Sequence, residues 1–199
     1  MFNGFFLYLN LRRTVLLVAA LNFIYFGVEF TFGRIYNSLA LISDSIDFLE
    51  DASINLLVVL ALGWSIAKRK YVSYLLATLL LVPGIAFLWN AVNKLLDPVT
   101  PVGEGMTFVG LGALLVNVFC AILIARHRSE EHGLVLAAYY SARNDAIANV
   151  LIVVSGLITL VSPSIWPDLL VGLLIFILNA GAAKSVVSAS KADEQKSQP

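Results

Sequence analysis

The sequence predicts an all-α membrane protein, a bundle of six transmembrane helices with both termini cytoplasmic. Three observations predict it. Of 199 residues, 59% are hydrophobic and only 13% are charged, against roughly a quarter charged in a soluble domain. Mean hydropathy is +0.87. Six apolar stretches reach the ~20 residues that a bilayer crossing needs, and the basic residues cluster in alternate connections between them. These features exclude a soluble globular enzyme, a disordered chain and a disulfide scaffold. Thirteen Lys+Arg balance thirteen Asp+Glu, so no basic footprint points to nucleic acid. Cys120 is the lone cysteine and has no partner for an internal bridge.

The elements follow in order. Residues 1–13 form an N-terminal segment whose apolar patch (Phe2, Phe5, Phe6, Leu7, Tyr8, Leu9) precedes Arg12 and Arg13. That order and the missing cleavage site argue against a removable signal. The patch fits either a stretch lying in the membrane interface or a frayed end. The spans are expected at Thr14–Tyr36, Ser38–Trp64, Tyr71–Leu95, Met106–Ala125, Leu134–Val161 and Ile165–Ala183. Asp97-Pro98-Val99-Thr100-Pro101-Val102-Gly103 stops the third and restarts the chain before the fourth. Ser162-Pro163-Ser164-Ile165-Trp166-Pro167-Asp168 does the same before the sixth, with Trp166 suited to the outer interface. The six-helix unit is expected over 14–188. Residues 189–199 are too short and polar to bury a core and read as a disordered cytoplasmic tail. No second domain is expected, and no phosphate-loop, dinucleotide or zinc-protease motif occurs.

Loop charge orients the bundle. With the N-terminus inside, the inner segments hold Arg12, Arg13, Lys68, Arg69, Lys70, Arg126, Arg128, Lys184, Lys191 and Lys196. The outer segments hold Arg34 and Lys94, and Arg143 falls within a span. Ten against two is a strong positive-inside bias.

The informative residues are the charges inside the spans: Glu29, Asp44, Asp47, Glu50, Asp51, Arg143 and Asp145. A carboxylate at the bilayer centre costs ~2.5–3.5 kcal/mol, so such acids normally face a bundle interior and mark an ion pathway. The bland alternative is paired or protonated acids that hold helices together. Asp47 and Asp51 are four apart, one turn along one helix face, as are Ser141 and Asp145. Asp44 lies near the same stripe. At 1.5 Å per residue, Asp47 sits ~14 Å past Ser38 and Asp145 ~16 Å past Leu134. Both depths are near half of a ~30 Å hydrocarbon layer. Three carboxylates at one level repel unless protons or a cation neutralise them, and a divalent metal with four ligands would do so. Protons and metal compete for the same oxygens, which is a physical basis for metal/proton exchange.

At these residues the chain resembles the cation diffusion facilitator family of divalent-metal transporters. The second span reads Asp44-Ser45-Ile46-Asp47-Phe48-Leu49-Glu50-Asp51, similar to the family's D-x-x-[HD]-x-x-x-D, and follows Leu41-Ile42-Ser43. The fifth reads Ser141-Ala142-Arg143-Asn144-Asp145, where the family carries H-x-x-x-D or D-x-x-x-D. Leu96-Asp97-Pro98, Asn117 and Trp166-Pro167-Asp168 also look like the family. The resemblance covers roughly residues 14–188. It implies a homodimer that moves Zn²⁺ or a related metal out of the cytoplasm in exchange for protons. The compact chain and short loops suit a bacterial inner membrane, with a eukaryotic organelle as the alternative. The metal site would fall on Asp47, Asp51, Ser141 and Asp145. Asp44, Glu50, Asn117, Asn144 and Arg143 are further pathway candidates. The divalent ion is substrate, and no cofactor is expected.

Three departures from the family stand out. Ser141 replaces the usual His or Asp. The family's cytoplasmic metal-binding domain is absent from the sequence. The loop Ala67-Lys68-Arg69-Lys70-Tyr71 holds no His or acid. An all-oxygen site leans toward Mn²⁺, Fe²⁺ or Co²⁺, while carboxylates also bind Zn²⁺, the family's commonest substrate. Arg143, two residues from both Ser141 and Asp145, points away from them and suits a pairing with Glu50 or Asp44. Glu29 fits two roles, a proton carrier or a partner for a polar group. His127 and His132, with Glu130 and Glu131, read as a hydrated inner loop rather than a metal-capture site. Cys120 and the glycines Gly110 and Gly112 read as packing residues. Asn117 suits either a bond across helices or a place beside the path. The alternative to transport is a membrane partner or metal sensor with a degenerate site.

Overall fold

The computed structural model describes residues 11–61, 66–125 and 133–179, with 133–144 and parts of 58–80 described by backbone alone. Six helices occur among them, and no strand: α1 Leu11–Ile35, α2 Leu39–Ala61, α3 Ile66–Leu96, α4 Gly103–Ala125, α5 Gly133–Val161 and α6 Trp166–Leu178. Each overlaps one expected span; α3 begins at Ile66 rather than Tyr71, and α6 ends at Leu178 rather than Ala183, where 180–183 lie outside the described residues. The N-terminal aromatic patch, the His127–His132 loop and the 189–199 tail lie outside the described residues.

Two helices, α1 and α4, are long and apolar enough on composition alone to cross a membrane. Helix α2 falls short of the same criterion because Asp44, Asp47, Glu50 and Asp51 interrupt its apolar run. The distribution of side chains is inverted relative to a soluble protein. Large apolar groups face outward, including Ile24, Trp89, Phe108 and Leu115, all more than 60% exposed. Glu29, Asp44, Asn22 and Asn149 are 0% exposed. A soluble domain rarely shows so large an apolar surface around a polar interior.

Helix α2 touches all five others and is the hub of the bundle. Helices α1 and α2 form one close antiparallel pair and α4 and α5 another, while α3 leans on α2 and, slightly, on α6. A central cluster of Ala40, Leu41, Met106, Val109, Ile152 and Ile175 joins α2, α4, α5 and α6. A second, Leu39, Ile42, Phe87 and Leu169, joins α2, α3 and α6, with the Phe87 and Phe176 rings stacked at 4.3 Å. Cys120 packs with Val18, Leu123 and Ile124, and Gly110 lies against Ile152 and Val153. Both therefore act as packing residues.

The turn between α1 and α2 is short because its ends are capped. Asn37 adopts a left-handed φ of 52°, and Ser38 N–H reaches back to the Gly33 carbonyl at 2.8 Å. This is a Schellman closure, with Asn in the position that glycine usually fills. Ser38 then caps α2, its Oγ accepting from Leu41 N–H at 3.1 Å. The Asp168 carboxylate from α6 accepts from Leu39 N–H at 2.8 Å, Ala40 N–H at 3.0 Å and Ser38 Oγ at 2.7 Å. Lys94 from α3 donates to the same carboxylate and to the Asn37 carbonyl, each at 2.5 Å. One buried ion pair thus fastens the ends of α2, α3 and α6 together.

Candidate metal pathway

Three of the four acids of α2 lie on the side of the hub that faces α5 and α6. Asp47, Glu50 and Asp51 line one cavity of about 480 Å³ together with Asp145 of α5 and Asn179 at the end of α6. The remaining walls are apolar and come from α5 and α6, among them Ile147, Leu151 and Leu174. The four carboxyl-bearing residues are half-buried. Asp145 lies within electrostatic reach of Asp51, Asp44 and Glu50, and Asp47 within reach of Asp145, Asp44 and Asp51. Among the described residues, no three His, Cys, Asp or Glu side chains converge closely enough to hold a metal ion. The arrangement is a shared acidic cavity rather than a closed coordination cage.

The helical spacing explains the grouping. Positions 47 and 51 are one turn apart, so both project to one side of α2. Position 145 is one turn before Asn149, whose Nδ2 donates to the Asp145 carbonyl at 2.7 Å. Asn55 similarly donates to the Asp51 carbonyl at 2.8 Å. Ser141, Arg143 and Asn144 fall on α5, but their side chains lie outside the described residues.

Asp44 and Glu29 do not line this cavity. Both are fully buried, and their carboxyls face each other between α2 and α1. Asn117 is buried on α4, and its Nδ2 has no partner among the described residues.

Three residues at these positions escape a reading of acids alone. Asn179 stands beside Asp47; its signal is a lone amide at the end of the apolar run Leu169–Leu178. Asn149 shows itself by its four-residue spacing from Asp145. Tyr25, whose hydroxyl donates to the Val109 carbonyl at 2.7 Å, carries no signal beyond its position four before Glu29.

The sequence model of the cation efflux transmembrane domain matches residues 15–191. The chain belongs to the cation efflux family. That family moves cations across membranes and is not a family of enzymes, and the chain is a membrane protein. It is also 25% identical over 178 residues to "Zinc transporter ZitB" of Yersinia pseudotuberculosis serotype I (strain IP32953), and equally to that of Yersinia pestis. These alignments cover 83% of this chain and 57% of each relative. The chain therefore spans little more than half the length of the curated relatives it matches.

Proposed function

We propose that the chain exports divalent transition-metal cations, of the Zn²⁺, Mn²⁺, Fe²⁺ and Co²⁺ class, from the cytoplasm in exchange for protons. The six helices of residues 14–188 each cross a bacterial inner membrane, with both termini inside, and two copies form a homodimer. The path passes a mid-membrane site between α2 and α5, where Asp47, Asp51 and Asp145 are the acidic ligands and Ser141 contributes a hydroxyl. One observation carries this reading: acids from two separate helices open into a single cavity inside an apolar bundle. Carboxylates so placed are costly in a membrane and become favourable when a cation bridges them. The oxygens that take the metal also take protons, so release on one side and reprotonation follow from the same chemistry. The similarity to zinc transporters supports Zn²⁺ as one of the ions carried.

The test is metal accumulation in proteoliposomes. Even outer partners of metal ligands are worth ~10–100-fold in affinity or activity. Asp51→Ala and Asp145→Ala should therefore each lower Zn²⁺ or Co²⁺ uptake at least ~10-fold. If either variant carries metal as fast as the parent, the assigned site is wrong. A folded parent that carries none of the four metals would favour the partner or sensor role instead.

A further inference from the structure

Beyond the cavity, the interior holds a second group of polar side chains that the proposed path does not use. Glu29 and Asp44 are 0% exposed, and among the described residues none of their four carboxyl oxygens has a hydrogen-bond partner of good geometry. Two neighbours bring further oxygens, the Tyr25 hydroxyl and the Asn149 side-chain amide. The Tyr25 hydroxyl stands within electrostatic reach of both acids, but its proton is committed to the Val109 carbonyl. Asn149 is 0% exposed and lies against Asp44. Its Nδ2 donates to the Asp145 carbonyl, and its Oδ1 has no partner.

Two facing carboxylates repel in a low-dielectric interior, and a buried unpaired carboxylate is costly. A divalent cation reverses that balance, because its charge matches the two carboxylates and it coordinates oxygen donors directly.

We propose that Glu29 and Asp44, with the Asn149 Oδ1 and the Tyr25 hydroxyl oxygen, form a second divalent-cation site between α1, α2 and α5. It lies one helical turn from Asp47 toward the Ser38 end of α2. This inference rests on the reading of the chain as a carrier of divalent cations. An ion leaving the Asp47 cavity toward the Ser38 end meets this pair next. The Gly112 backbone leaves the room that the Tyr25 ring needs, since a Cβ there would stand 2.1 Å from the Tyr25 hydroxyl.

The experiment is Co²⁺ binding to the full chain in detergent, read by bound metal per protein at saturation and by the Co²⁺ visible absorption. The parent should bind two ions per chain. Asp145→Ala should keep one, and Glu29→Gln, which preserves shape, should also keep one. The double variant should bind none. The retained ion in Glu29→Gln reports that the protein is folded. A parent that binds one ion, lost in Asp145→Ala and unchanged in Glu29→Gln, overturns the second site and leaves the metal-carrier reading intact. Failure of that reading appears separately, as unimpaired metal uptake by Asp145→Ala vesicles.

Discussion

Asp168 shows at the residue scale how a buried charge is made tolerable in this protein. Its carboxylate accepts from two amides, one hydroxyl and one ammonium, so the negative charge meets the positive end of the α2 dipole and a cation at once. Removing it takes the shared acceptor from all four donors, of which Lys94 keeps only the Asn37 carbonyl, whereas removing Lys94 leaves the carboxylate three of its four. Asp168→Ala should therefore cost ~3–5 kcal/mol, the usual loss when one partner of a buried pair goes, and Lys94→Met should cost clearly less. Thermal unfolding in detergent, followed by circular dichroism, ranks them; equal losses would mean that the ion pair rather than the helix cap dominates. The sequence showed Lys94 as an outer-segment charge and Asp168 as part of the family-like Trp166-Pro167-Asp168, with nothing to link the two. Their pairing joins positions 74 apart in the chain, a relation no local pattern encodes. Asp47, Asp51 and Asp145 were legible because one helical turn and the depth arithmetic place them without any knowledge of packing. The second pair was legible only by half. Glu29 and Asp44 stand out as acids in apolar runs, but the helix rotation that turns them toward each other depends on how α1 packs on α2.

At the scale of the element, α6 is held against α2 by a missing side chain. Gly172 follows Asp168 by one turn, and a Cβ there would lie 2.7 Å from the Leu39 carbonyl carbon and 2.8 Å from the Ala40 amide nitrogen. Backbone cannot move aside as a side chain can, so Gly172→Ala must lever α6 outward and stretch the Asp168 cap. Overpacking of this kind typically costs ~1–3 kcal/mol. Because both changes act on one contact, the Gly172→Ala and Asp168→Ala losses should be less than additive. A double-variant cycle on unfolding midpoints checks this, and strict additivity would contradict the coupling. Element type and order were legible throughout: apolar length gave each helix, and the Pro-rich turns at Asp97–Gly103 and Ser162–Asp168 gave the breaks. Contact between α2 and all the other helices was not legible. It follows from close approaches at glycines and at the capped turn, and many glycine placements look alike in a sequence.

For the whole molecule, the account requires an inverted bundle with apolar faces toward lipid and acids inward. Orientation is its first consequence. In a Cys120→Ala background, Val99→Cys should react with a membrane-impermeant maleimide added to intact cells, and Tyr71→Cys should react only after permeabilisation. The reverse pattern would invert the proposed topology, and with it the direction of transport. The central claim is exchange of metal for protons through the α2–α5 cavity. Its most direct test follows Zn²⁺ and internal pH together in sealed proteoliposomes under an imposed pH gradient. Zn²⁺ should enter as protons leave, with both movements abolished together in Asp145→Ala. Zn²⁺ entry with no matching pH change, or coupled movement that survives in Asp145→Ala, would contradict it.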